Sequence, residues 1–252
     1  MKNIFFLLLI FVFTNLGYSK SMEAQQISLS DLVYQNLDQD LMKIWLLGKN
    51  KSDAKLNEKF LSCQNEWKFT KAKLSKLEIP HVDVSEFNDD VDYFFKLLFT
   101  SIDLKDYLNI EKMAYHILYE FRFLRQCYFY SNYVLDQLWD VIDAYQEIYF
   151  TIDDPMMVLK EWSEFEDLIN SMICNWENYE YLHISEINKF YPGMNKRQHA
   201  KVKEDVNSCT FSLLKAIETA MQDKFKMPCD QLGDALEELI QLYAYSKMKV
   251  LM

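Results

Sequence analysis

The chain has 252 residues, half of them hydrophobic and 15% aromatic, but only four glycines and four prolines. A formal charge of −11 sets it against phosphate backbones and anionic lipid surfaces, and no basic stripe reverses that balance locally, so nucleic acid is not an expected partner. So few turn-formers cannot supply the tight reversals of a sandwich or barrel, and the expected class is all-α: an antiparallel bundle of six or seven helices forming one domain over residues 20–252.

The first nineteen residues read differently from the rest. Lys2 precedes an apolar run from Ile4 to Val12, and Gly17-Tyr18-Ser19 supplies the small residues that a signal peptidase reads. The apolar core is shorter than the roughly 20 residues of a membrane span. Residues 1–19 are therefore expected to be a secretory signal peptide. The mature chain would be exported, periplasmic or secreted, with no membrane span and one more negative charge once Lys2 is lost. A bias toward Lys, Asn, Ile, Phe and Tyr favours a Gram-negative periplasm. No cysteine precedes Cys63, so a lipoprotein cut has no target.

A first helix is expected from Ser30 to Leu47, capped by Ser30 or Asp31, with Leu37, Leu41, Ile44 and Trp45 on one face and Gly48 as its stop. Ser52 and Asp53 open a second helix through Phe60, Cys63, Trp67 and Leu74, ended by Pro80. Residues 80–90 read as a loop, after which Asp89 and Asp90 suit the positive end of a helix carrying Val91, Phe95, Leu98 and Ile102. The next helix starts near Ile110 and extends to Tyr149, with a break around Ser131-Asn132. Asp136, Asp140, Asp143 and Glu147 form one stripe along it, expected to be a solvated face.

Asp153-Asp154-Pro155 is a cap followed by proline at the first helical position and marks a helix start; that helix runs to Tyr191-Pro192-Gly193. Asn195 with Gln198 resembles a capping box and opens the following helix, and Pro228 separates it from a last one, Gln231 to Lys249. Phe95-Lys96-Leu97-Leu98 with Ile102 echoes Phe211-Ser212-Leu213-Leu214 with Ile217. Each set follows a tryptophan-bearing helix (Trp67, Trp176) and a proline-containing loop, which adds two related halves about a cleft to the expectation.

Five cysteines in an oxidising compartment suggest a disulfide, and Cys174 with Cys209 is the first candidate, because both lie at similar distances from the Pro192-Gly193 turn; Cys229 is a rival partner. Arg122 and Arg125 interrupt an aromatic run and, three residues apart on a helix, could grip one anion; their ordinary alternative is pairing with Glu120 or Asp136. With them as candidate binding residues stand Trp162, Trp176 and Tyr179, rings that could line a cleft, and His183.

No cofactor is predicted. A c-type haem has no Cys-x-x-Cys-His run to attach to, whereas non-covalent haem stays open through His116, His183, His199 and the twelve methionines. Glu180-Tyr181-Leu182-His183 is half of a di-iron signature that needs two, and no metal ligand set is expected. Hydrolase elbows and phosphate-binding glycine loops do not occur. The functional expectation is an exported helical binding protein for a protein partner or a small apolar ligand. The alternatives are a haem- or metal-binding bundle and a hydrolase with an unfamiliar site.

Overall fold

The computed structural model of the chain describes residues 34–77, 79, 81–128, 133–153, 162–182, 187, 189–219 and 224–246. Among them the chain forms eight α-helices and no sheet: α1 (Gln35–Lys49), α2 (Leu56–Leu74), α3 (Val84–Asp103), α4 (Tyr107–Tyr128), α5 (Val134–Asp153), α6 (Trp162–Glu180), α7 (Lys196–Thr219) and α8 (Lys226–Ala244). The class is the all-α one that composition implies. The count exceeds six or seven because the stretch expected from Ile110 to Tyr149 divides into α4 and α5. The expected leader, the expected Ser30-Asp31 cap and the expected Asp154-Pro155 start lie outside the described residues, as do His183 and the side chains of Asp153 and Trp162.

Helix α6 stops at Glu180, short of the expected Tyr191-Pro192-Gly193, and α2 opens at Leu56 after Lys55, with no side-chain cap, rather than at Ser52 and Asp53. Three further helix ends differ from expectation for identifiable physical reasons. The loop after Pro80 is shorter than expected, because Asp83 is the cap of α3: its carboxylate accepts the Ser85 and Glu86 amides at 2.9 and 3.2 Å, leaving Asp89 and Asp90 inside the helix. Gly48 does not stop α1 but lies within it, at a crossing with α4 so close that a Cβ there would stand 2.8 Å from the Glu111 amide nitrogen. Pro228 sits in the first turn of α8 rather than ahead of it, where its missing N–H has no intrahelical partner to lose. The Asn195 cap of α7 is formed as its spacing implies, accepting from the Gln198 amide at 3.3 Å.

The helices close into two rings of four. In the first, α1 packs on α2 and α4, and α3 packs on α4 and α2; in the second, α5 packs on α6, α6 on α7, α7 on α8, and α8 on α5. Helix α8 also packs on α1 and joins the rings. Each ring buries its own aromatic core, and each fully buried large apolar side chain contributes about 1.5–3 kcal/mol of transfer free energy. Trp67 of α2 lies parallel to Phe95 of α3 and edge-on to Phe121 of α4. In the second ring Phe165 of α6 packs edge-on to Phe225 beside α8, with centroids 5.0 Å apart.

The buried positions of the two rings follow the same spacing. On α2, Leu56, Phe60, Cys63, Trp67 and Thr70, which Leu74 continues, match Phe165, Ile169, Met172, Trp176 and Tyr179 of α6. On α3, Phe87, Val91, Phe95, Leu98 and Ser101 match Val202, Val206, Thr210, Leu213 and Ala216 of α7, one residue off the expected echo, whose Phe211 and Leu214 are exposed and so cannot be the counterparts of buried Phe95 and Leu98. A polar clamp recurs in the same register: the Trp67 indole donates to Asp92, which also pairs with Lys71, while the Trp176 indole donates to Asn207, which also bonds Glu180.

The expected Cys174–Cys209 disulfide is not formed, and none of the five cysteines is in a disulfide. Cys174 falls two residues from both Met172 and Trp176, which places it on the face of α6 turned away from the core, so it is exposed while Cys209 stays in the buried stripe of α7.

Candidate functional site

Two buried arginines of α4, Arg122 and Arg125, tie that helix to α5, and Arg125 also faces α1. Arg125, 2% exposed, donates from Nε and Nη2 to both oxygens of Asp136 at 2.6–3.1 Å, and its Nη1 lies 3.6 Å from Asp38. Its guanidinium also lies over the Tyr133 ring. Asp38 and Asp136 stand in the same local sequence, Leu37-Asp38-Gln39 on α1 and Leu135-Asp136-Gln137 on α5, so one cation ties together two similar segments of the two rings.

Tyr133 donates its hydroxyl proton to Asp38 at 2.9 Å, which makes Tyr191 the donor in the 2.7 Å bond between the two tyrosines. Burial pushes the Asp38 carboxyl up, only partly opposed by the Arg125 charge. Arg122 pairs with Asp143 and approaches Asp140 at 3.6 Å. The acidic stripe on α5 is thus not the solvated face expected of it: Asp136 is buried, and three of its members neutralise arginines of α4. Burial, offset in part by Arg122, raises the Asp140 carboxyl to about 6.

The other candidates also lie inside the packing. Trp176 and Tyr179 are buried within the second ring, where the Tyr179 hydroxyl meets Tyr243 at 2.7 Å and His199 Nε2 at 2.9 Å. Burial, helped by the Lys203 charge, lowers His199 to about 4, so that imidazole is neutral at physiological pH. His183 and the Trp162 side chain lie outside the described residues. Among the described residues no three His, Cys, Asp or Glu side chains gather as metal ligands, and no helix is long and apolar enough to cross a membrane.

A cleft of about 780 Å³ opens between the two rings. Helix α1 contributes Trp45 and Lys49; α4 contributes Glu111, Tyr115 and His116; α5 contributes Tyr145, Tyr149 and Phe150; α8 contributes Asp230, Gly233, Asp234 and Glu237. The rings of one wall are held from behind: Trp139 stands edge-on to both Trp45 and Tyr115, at 5.6 and 5.7 Å between centroids. Tyr115 donates to Asp143 at 2.7 Å, and His116 stacks on Phe94. On the opposite wall Tyr145 reaches over Gly233, where any Cβ would run into its hydroxyl.

Charge in the cleft is unevenly shared. Lys49 Nζ lies 2.9 Å from Glu237 and 5.2 Å above the Trp45 ring. Burial works against ionised Glu237, but Lys49 and the Asn50 amide outweigh it and hold the carboxyl below its ordinary range. Glu111 is shifted the other way, by burial and by the neighbouring Glu237 charge. Asp230 and Asp234, one turn apart and exposed, have no ion-pair partner among the described residues. Burial raises the Tyr145 phenol, and the charges of Asp230 and Asp234 add to the shift, which puts those carboxylates within electrostatic reach of the ring.

Periodicity could not reveal this site, because its residues come from four helices and most occupy half-buried or exposed flanks rather than the core stripe. The one available signal was the surplus of tyrosine. Compared with protein-family models, with curated proteins and with solved structures, the chain matches none, so the chemistry of the cleft rests on its own residues.

Proposed function

We propose that the chain is an exported binding protein that holds a flat, largely apolar small molecule in the cleft between two related, antiparallel helical halves. The carrying observation is the cleft itself. Its volume of about 780 Å³ falls within the roughly 300–1,000 Å³ of small-molecule sites, and aromatic rings from three helices face it. Its lining offers rings and carboxylates rather than a serine or cysteine beside a base, which supports binding over covalent catalysis. The matched buried spacings of α2 with α6 and α3 with α7, the recurring tryptophan clamp and the two Leu-Asp-Gln segments support relatedness of the halves. The apolar leader after Lys2 supports export.

The test is titration with prodan, a neutral dye whose emission shifts to the blue in apolar surroundings. Saturable binding at one dye per chain is expected, weakened by about tenfold or more in Gly233→Leu, whose side chain fills the floor beneath Tyr145, with the helical circular dichroism unchanged. Absent binding, or equal binding to both proteins, overturns the reading.

A further inference from the structure

We propose that the ligand of the cleft is an organic cation: a flat apolar body carrying one protonated or quaternary nitrogen, which is read at Asp230 and Asp234 against the Tyr145 and Tyr149 rings. This rests on the cleft being the ligand site.

Three observations converge on a positive charge. Four carboxylates line the cleft (Glu111, Asp230, Asp234 and Glu237) against two ammonium groups, Lys49 and Lys112. One of those ammonium groups is already spent, and it shows how the site treats an alkylammonium: Lys49 is held between the Glu237 carboxylate and the Trp45 face. The second half of the same chemistry, two carboxylates on the turn of α8 that the Tyr145 side chain covers at Gly233, with Tyr149 in the same lining, has no cation of its own among the described residues. A ligand nitrogen placed there completes the arrangement that Lys49 makes on the other wall.

The opposite charge fits poorly. An anion would face the surplus of carboxylates at short range and a chain of net charge −11 at long range, whereas a cation is drawn in by both. A neutral molecule uses the rings and leaves the carboxylates idle. The rings set the body of the ligand and the aspartates its charge.

Fluorescence titration with three probes of one shape separates the claims: 9-aminoacridine, a cation at pH 7; 9-anthracenemethanol, neutral; and 9-anthracenecarboxylate, an anion. The cation is expected to bind about tenfold or more tighter than the neutral probe, and the anion weakest. Asp230→Asn with Asp234→Asn, both at exposed positions, should bring cation and neutral probe within about twofold of each other. Added salt should narrow the gap in the same direction.

If the neutral probe binds as tightly as the cation, or the anion binds best, the charge assignment is overturned and the cleft reading survives. If the cation preference persists in the double asparagine variant, the assignment to these two residues is overturned. If no probe binds, or Gly233→Leu leaves all three affinities unchanged, the cleft reading falls and the charge assignment falls with it.

Discussion

Replacing Arg125 by methionine preserves most of the side-chain volume and removes the charge that Asp136 and Asp38 share. Both carboxylates then lose the cation they share while staying out of water, Asp38 at 1% and Asp136 at 2% exposed, although Asp38 keeps the Tyr133 hydroxyl. Removing one partner of a buried ion pair costs about 3–5 kcal/mol. In a chain of this size each kcal/mol moves the midpoint by about 2–4 °C, so the variant should melt about 10 °C or more below the parent.

The loss should depend on pH. Burial already raises the Asp38 carboxyl, and without the opposing Arg125 charge it rises further. A carboxyl whose folded pKa stands above its unfolded value destabilises the fold when ionised, and the penalty fades as pH falls through the folded value, by up to about 1.4 kcal/mol per pH unit. The gap between Arg125→Met and parent should therefore be wider at pH 8 than at pH 5 in urea denaturation followed at 222 nm. Adding Asp38→Asn and Asp136→Asn to the same variant should recover half of the loss or more. A loss under about 1 kcal/mol, or one identical at the two pH values, would refute the claim that these charges are desolvated.

Gly48→Ala improves intrinsic helix propensity by about 1 kcal/mol, yet its Cβ would press on the α4 backbone at Glu111, so a net destabilisation of about 1–2 kcal/mol is expected in urea. Gly233→Ala meets only the tip of the Tyr145 side chain and should be nearly neutral; a stabilised Gly48→Ala would sink the close crossing of α1 and α4. In the native protein an aromatic disulfide reagent should label Cys174 quickly and Cys63 only on unfolding, because burial drives the Cys63 thiol well above its ordinary value. Non-reducing mass spectrometry showing Cys174 joined to Cys209 would contradict the placement of those two side chains on different faces.

Local signals proved readable where one helix sufficed to generate them. Leu37, Leu41, Ile44 and Trp45 share the buried face of α1 because spacings of three and four dictate it, and Asn195 caps α7 because its carboxamide is the nearest acceptor for the Gln198 amide. Features that need two helices stayed hidden. Gly48 looked like a terminator since nothing local announces that α4 crosses there. The α5 aspartates looked solvated since the arginines that bury them belong to α4, although Arg125 with Asp136 was among the pairings that the sequence allowed. The α6 and α7 cysteines looked equidistant from a turn, but equal path length says nothing about which way a side chain points. The cleft had no sequence signature, because four flanks each contribute two to six residues.

The way α8 fastens to α1 has a consequence for how the chain acquires its shape. Gln39 bonds the Tyr243 carbonyl at 2.9 Å and the Ser246 hydroxyl at 2.9 Å, and Lys49 and Asn50 both reach Glu237, so partners nearly the whole described length apart are stitched together. Such pairings raise contact order and slow folding, and on a ribosome α1 waits for α8 to emerge before its outer face is covered. A nascent chain of this protein should stay protease-sensitive until α8 has been made, then become resistant in one late step.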